Sequence, residues 1–314
     1  MSEHALVLDR VTKKYGDVVA VSDLSLSIER GEMFGLIGPD GAGKTTAIRL
    51  MCGLLKVDAG TLRVLGRDPV RDHAHLTQST GYLSQRFSLY GDLSVDENIA
   101  FFAEIHGLRM NDPAMKARRT RLLDLTQLAP FRDRLADQLS GGMKQKLALA
   151  CTLVHEPEVI LLDEPTTGVD PVSRREFWKL LSEFLSQGIT ILMATPYLDE
   201  AERCSRVALL HEGRLLALDS PAILRASLKG DVMEVVADDR DRAIQALERS
   251  SGVVEVQLFG ERLHVRLAPG SRLGNPEHLA AALKQAGIEA ESVRTVPTSL
   301  EDVFIARVTR RATA

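Results

Sequence analysis

MFGLIGPDGAGKTTAIRLMCGLL, residues 33–55, decides how the rest of the chain is read. Its opening, MFGLIG, is a short continuous apolar run, as expected of a strand buried on both faces of a parallel sheet. Its close, TTAIRLMCGLL, is spaced like a helix. Between them Gly38-Pro39-Asp40-Gly41-Ala42-Gly43-Lys44-Thr45 fits G-x-x-x-x-G-K-[ST], with Thr46 following it, in the strand, loop and helix order the motif requires. Glycines leave backbone N–H groups bare and the helix N-terminus adds positive potential, so this loop is expected to wrap phosphates. Lys44 would reach the β- and γ-phosphates, and Thr45 would hold Mg²⁺. A carboxylate turned inward at Asp40 would repel phosphate, so that side chain is expected to point away.

Working outward, TGYLSQ (80–85), EVILLDEP (158–165) and ITILMAT (189–195) are further apolar runs separated by helical stretches. They imply an α/β fold, a P-loop NTPase core with helices on both sides of a mainly parallel sheet. The alternating opening ALVLDRVTKKYGDVVAVSDLSLSIERGE reads as an antiparallel β subdomain, with turns at Tyr15-Gly16-Asp17 and Glu29-Arg30-Gly31. From about 86 to 156 the strands give way to helix-period stretches, such as the one running from Val95 to His106, and we expect an inserted helical subdomain. In EVILLDEP four apolar residues set Asp163 at the C-terminal end of a buried strand, where ligand chemistry gathers in open α/β sheets. Asp163 would bind Mg²⁺, and Glu164 would orient or deprotonate an attacking water.

LSGGMKQKLALA (139–150) opens a helix on two glycines, each costing about 1 kcal/mol relative to alanine inside a helix. Ser140 suits an N-cap, and the later part of the helix is apolar and therefore buried. Ser140, Gly141 and Gly142 thus offer a hydroxyl and bare donors at a positive helix end, a second phosphate-receiving surface. One P-loop already serves this chain's own nucleotide, so the second surface is expected to serve the nucleotide of another subunit.

Composition narrows the function classes. The 314 residues carry 39 Lys and Arg against 43 Asp and Glu, with no basic block interleaved with aromatics, which argues against nucleic acid as partner. No run approaches the roughly 18 apolar residues of a membrane span, and the start lacks the apolar core of a signal peptide. Cys52, Cys151 and Cys204 are scattered, without C-x-x-C spacing, and read as reduced core thiols. After residue 230, DVMEVVA, DRAIQALERS, VVEVQLF, ERLHVRL, PEHLAAALKQAG and IEAESVRTV spell β-α-β-β-α-β, the ferredoxin-like order, and a helix over about 298–310 follows. The expected domains are 1–222, a nucleotide-binding domain, and 231–314, a small α+β accessory domain.

GPDGAGKTT, LSGGMKQ and VILLDEP in this order resemble the nucleotide-binding subunit of ATP-binding cassette (ABC) transporters, over residues 1 to about 222. The resemblance implies a head-to-tail dimer, with ATP held between the P-loop of one chain and the LSGG segment of another. It implies that Tyr15 stacks on adenine, that Gln85 touches Mg²⁺ and the water, and that Asp170, in TTGVDP, lies in the loop crossing the dimer interface. Asp170-Pro171 is equally a natural N-cap and first helical residue. A transmembrane permease is the implied partner, and the cytoplasmic face of the membrane the implied location. The C-terminal unit with TSLEDVFIARV resembles exporter subunits of the ABC-2 type, such as drug and polysaccharide exporters. An importer motor, a soluble ABC protein of translation or DNA repair, and a poorly hydrolysing regulatory subunit are the alternatives. The last follows from Pro196, which occupies the place where the family usually has a histidine contacting the γ-phosphate. Proline offers neither a side-chain donor nor an N–H, so slow hydrolysis is expected. Thr195 is expected to cap, and Pro196 to begin, the helix that follows, with Asp199 and Glu200 favouring its positive end.

Overall fold

The computed structural model describes residues 4–85 and 89–312. The first residues of the helical stretch expected from 86, and the last two of the domain expected to 314, lie outside them. The chain divides into two compact units, 1–219 and 220–314.

In chain order, the first unit contains β1 (His4–Tyr15), β2 (Val18–Glu29), β3 (Met33–Ile37), α1 (Lys44–Met51), β4 (Ala59–Val64), α2 (His73–Leu76), β5 (Thr80–Leu83) and α3 (Val95–Ile105). It continues with α4 (Pro113–Leu125), α5 (Gly141–Leu153), β6 (Val159–Asp163), α6 (Pro171–Ser186), β7 (Thr190–Thr195), α7 (Leu198–Ala201), β8 (Arg206–His211) and β9 (Arg214–Asp219). The central sheet has the order β5-β6-β7-β3-β8-β9, parallel except for the β8–β9 hairpin at its edge. All residues of β3, β6 and β7 are buried, which is why each reads as an unbroken apolar run. A second, antiparallel sheet of order β2-β1-β4 faces the first, and side chains of both pack with α1 in one core that includes Leu6, Val11, Leu24, Ile28, Phe34, Ile48 and Leu161.

Three strands escape the sequence reading: β4, β8 and β9. β8 lies inside the sheet between β3 and β9, its residues Val207, Ala208, Leu209 and Leu210 buried. β4 and β9 are edge strands and partly exposed, so they lack the continuous apolar run that marks the interior. The strand read through Gln85 ends two residues earlier, at Leu83.

The helical stretch comprises α3, α4 and α5. Ser94 starts α3 with a full capping box, its hydroxyl accepting from Glu97 N (3.2 Å) while Glu97 Oε2 accepts from Ser94 N (2.7 Å). Helix α5 is buried nearly all round and packs on α3, α6 and β5. Among the described residues no helix is long and apolar enough to cross a membrane.

The second unit contains α8 (Pro221–Ser227), β10 (Val232–Ala237), α9 (Arg240–Glu248), β11 (Val253–Phe259), β12 (Arg262–Leu267), α10 (Pro276–Gln285), β13 (Ala290–Val296) and α11 (Leu300–Ala312). Its antiparallel sheet, of order β11-β12-β10-β13, packs with α9 and α10 around Met233, Val235, Leu247, Leu263, Val265 and Leu283. On the opposite face Asp302 of α11 meets His264 Nδ1 at 2.9 Å, and the carboxylate of Glu234 meets Arg262 and Arg294.

Candidate functional site

The parallel register brings the C-terminal ends of the strands level. Leu83 pairs with Leu162, Asp163 with Ala194, and Ile37 with Thr195. The phosphate-type loop leaves β3 at this edge and enters α1 at Lys44. Gly43, the residue capping α1, has φ 95°, and a Cβ on it would stand 2.3 Å from Ala20 O, so this position admits glycine for two reasons at once. The same contact sets the loop against β2, two residues from Val18, which pairs with Tyr15. Tyr15 therefore stands on the hairpin end next to the loop, the residue 47% exposed. Gly38, Ala42 and Lys44 are buried, Thr45 and Thr46 half-buried, and Pro39, Asp40 and Gly41 exposed.

Lys44, 4% exposed, donates to Gly38 O (2.8 Å) and Pro39 O (3.1 Å) and lies 3.3 Å from Glu164 Oε1. Thr45 Oγ1 donates to Asp163 Oδ1 at 3.0 Å. Burial pushes the Asp163 carboxyl above the ordinary carboxylate range, against the Thr45 hydrogen bond. Glu164 follows with φ 50°, a left-handed conformation that a non-glycine residue seldom adopts. Its N–H donates to Ala194 O (2.9 Å), and its Oε2 accepts from Gln85 Nε2 (2.9 Å). Lys44, Thr45, Gln85, Asp163 and Glu164 are thus joined by hydrogen bonds and one ion pair. Gln85 reaches this group from the loop beyond β5, not from the strand itself.

The LSGG segment forms as a capped helix start, Ser140 Oγ accepting from Met143 N at 3.3 Å. Its two glycines have different reasons. Gly141 is exposed, with open space where a Cβ would be, whereas a Cβ on Gly142 would stand 2.2 Å from Ser173 Oγ. The packing of α5 against α6 thus gives Gly142 a reason of its own to be glycine, beside the phosphate surface expected of it. Asp170 caps α6, its Oδ1 accepting from Val172 N and Ser173 N at 3.0 Å each. A hydrogen bond from the Ser173 side chain, and then these backbone bonds, hold its carboxyl below the ordinary range.

After β7 the structure departs from expectation. Pro196 does not begin a helix: α7 starts at Leu198 and has four residues. Thr195 is not its cap. The Thr195 hydroxyl accepts from Tyr197 N (3.1 Å) and donates to Glu200 Oε2 (2.7 Å). Glu200, read as a helix-end charge, is 1% exposed, and its Oε1 accepts from Thr166 Oγ1 and from Arg174 Nη2 (2.9 Å). Sequence reasoning missed this residue because nothing in DEAER separates a buried carboxylate from solvated ones.

A separate cavity of about 480 Å³, lined by Arg30, Arg118, Leu122, Glu158, Phe184 and Thr190, opens at the other ends of β6 and β7. Its arginines Arg30 and Arg118 are paired with Glu158 and Glu156, and it shares no residue with the acid pair.

Comparison with known proteins gives the family of the chain. The ABC transporter family pattern matches residues 21–167, and a second, the ATP-binding protein DrrA1-3-like C-terminal domain, matches 220–308. The Nod factor export ATP-binding protein I of Burkholderia orbicola (strain AU 1054) is 38% identical over 99% of both chains. The chain belongs to the ATP-binding subunits of ABC transporters. This ABC subunit is also 47% identical to the probable multidrug ABC transporter ATP-binding protein YbhF of Escherichia coli (strain K12), over 73% of its own length. It spans 40% of the length of that relative. Among solved structures, CbiO1 of Clostridium perfringens, part of the ABC transporter complex CbiONQ, superimposes with a TM-score of 0.65 at 30% identity, over 72% of the ABC subunit and 92% of CbiO1.

Proposed function

We propose that this ABC subunit binds and hydrolyses ATP to energise export through a separate membrane permease, working as a head-to-tail dimer on the cytoplasmic face of the membrane. One observation carries the reading: Lys44, Thr45, Gln85, Asp163 and Glu164 are gathered at one edge of the sheet and linked to one another. In this reading Gly38 to Thr46 cradle the phosphates, Lys44 leaves its loop carbonyls for the β- and γ-phosphates, and Tyr15 stacks on adenine. Glu164, held by Gln85, orients the attacking water and takes up its proton. Ser140, Gly141 and Gly142 face the nucleotide of the second subunit, and Asp170 stiffens the adjoining loop through its cap.

The donor set fits Mg²⁺. The Thr45 hydroxyl, the Gln85 amide oxygen and the Asp163 carboxylate are hard oxygen ligands, and a carboxylate disfavoured by burial gains from a cation beside it. The ion supplies neutralisation of charge on the phosphate oxygens. Export is favoured over import by the DrrA1-3-like C-terminal domain and by relatives whose names record multidrug and Nod factor export. The transported compound then depends on the permease.

Steady-state Mg-ATP hydrolysis by the wild-type chain and Glu164→Gln tests the reading. Hydrolysis by the former, and its loss by about 10²-fold or more in the latter with ATP binding retained, is expected. Size measurement of Glu164→Gln should then give a dimer with ATP and a monomer without it. Equal rates in the two chains would refute the assignment of Glu164.

A further inference from the structure

We propose that Glu200 is a positioning residue for ATP hydrolysis, a buried carboxylate that fixes the loop carrying Glu164 against the end of β7 and the start of α6. The inference rests on the reading of the chain as an ATPase.

Each partner of Glu200 belongs to a segment that matters to the site. Thr166 lies two residues after Glu164 and donates to Glu200 Oε1. Thr195 ends β7 and donates to Oε2, while its own carbonyl accepts from Gly38 N, the first residue of the phosphate loop, at 3.4 Å. Arg174, one turn into α6 from Asp170, donates to Oε1 and extends to Asp199 Oδ2 at 3.2 Å. One carboxylate therefore ties three segments together, and Arg174 supplies the charge that makes its burial tolerable. Within the four-residue α7, Glu200 is 1% exposed, and its three hydrogen-bond partners account for a carboxylate sealed from water at this point.

Glu164 needs such support. Its φ of 50° is strained, and strained residues persist only where the surroundings over-determine them. Hydrogen bonds from Gln85 and to Ala194 O fix the side chain and the N–H of Glu164. The chain beyond it turns through Thr166, and Glu200 pins that turn. Proline at 196 removes an N–H from the adjoining segment, so the Thr195 side chain, accepting from Tyr197 N and donating to Glu200, anchors it instead. ATP binding draws on a different set of groups, the P-loop amides and Lys44. Loss of the Glu200 contacts should therefore reduce turnover and spare affinity.

The test measures kcat and KM for Mg-ATP, and the Kd of a fluorescent ATP analogue, in wild type, Glu200→Ala, Glu200→Gln and Thr166→Val, beside Glu164→Gln. Glu200→Ala and Thr166→Val should lose about tenfold or more in kcat, because small displacements of a catalytic group are costly. KM and the analogue Kd should stay within about threefold, as for an interaction made only in the transition state. Glu200→Gln keeps an acceptor for Thr166 and Arg174 and gains a donor for Thr195, so it should retain most of the turnover. Thr166→Val is nearly isosteric and decides the matter if Glu200→Ala does not fold. Full turnover in Thr166→Val, or a rise in KM at unchanged kcat, overturns the inference while Glu164→Gln still supports the ATPase reading. A wild-type chain that hydrolyses no ATP overturns both.

Discussion

At the residue scale the site is a set of groups held away from their ordinary states. Asp163 is a carboxylate whose charge is disfavoured by burial, Lys44 an ammonium almost sealed from water, and Glu164 a residue in left-handed backbone. A cation and a polyphosphate relieve the first two, which is why the same groups serve binding. Pro196 is the departure that bears on rate. Replacing it with histidine restores a donor to developing charge, and kcat should rise about a hundredfold with ATP affinity unchanged, by analogy with an oxyanion donor. Steady-state rates together with a nucleotide titration check this, and an unchanged kcat would show that another group already serves there. Most site residues were legible singly, because the P-loop and acid-pair motifs specify residue types at fixed spacing. Glu200 was not, since burial depends on the approach of Thr166, Thr195 and Arg174 from three segments.

At the element scale, helix contacts decide what the local pattern left open. Gly142→Ala forces a Cβ into Ser173 and should cost about 1–3 kcal/mol through overpacking, whereas Gly141→Ala meets open space and should leave stability level or up to about 1 kcal/mol higher. Denaturant midpoints of the two variants separate these outcomes. A second contact joins the end of α3 to the turn that follows α5. His106, at the C-terminal end of α3, stacks on His155 with ring centroids 3.7 Å apart, and His155 Nε2 lies 3.1 Å from Thr80 O. Burial pushes His155 down to about 4, helped by the charges of His106 and Arg118, and burial also lowers His106. Both rings are thus favoured neutral in the fold, and the unfolded chain binds more protons between about pH 6.5 and 4. Stability should therefore fall as pH drops through that window, by about 2 kcal/mol once screening is allowed for. Urea midpoints against pH for wild type and His155→Phe check the sign, the variant showing the flatter profile.

On the scale of the whole molecule, each unit has a core of its own, one around Leu24, Phe34 and Leu161 and the other around Met233, Val265 and Leu283. Calorimetry should accordingly resolve two transitions, and Mg-ATP should raise only the one belonging to the nucleotide unit, since a ligand stabilises what it binds. A single transition raised as a whole would mean that the two cores unfold together. Burial pushes the thiols of Cys52 and Cys204 up to about 12 and raises that of Cys151 as well, which favours their protonated form at neutral pH.

The α/β class, the phosphate loop, the acid pair and the β-α-β-β-α-β order of the second unit are all readable from the chain before it folds. These depend on local rules: apolar periodicity, the glycine spacing of the loop and the bounds set by turns. Only the fold decided that Gly142 packs on Ser173, that β4 and β9 close the sheets at their edges, and that Glu200 is buried against Thr166, Thr195 and Arg174. The physical reason is common to all three. A close approach, an edge pairing and the burial of a charge are properties of segments far apart in the chain, and a residue's neighbours in sequence carry no record of them.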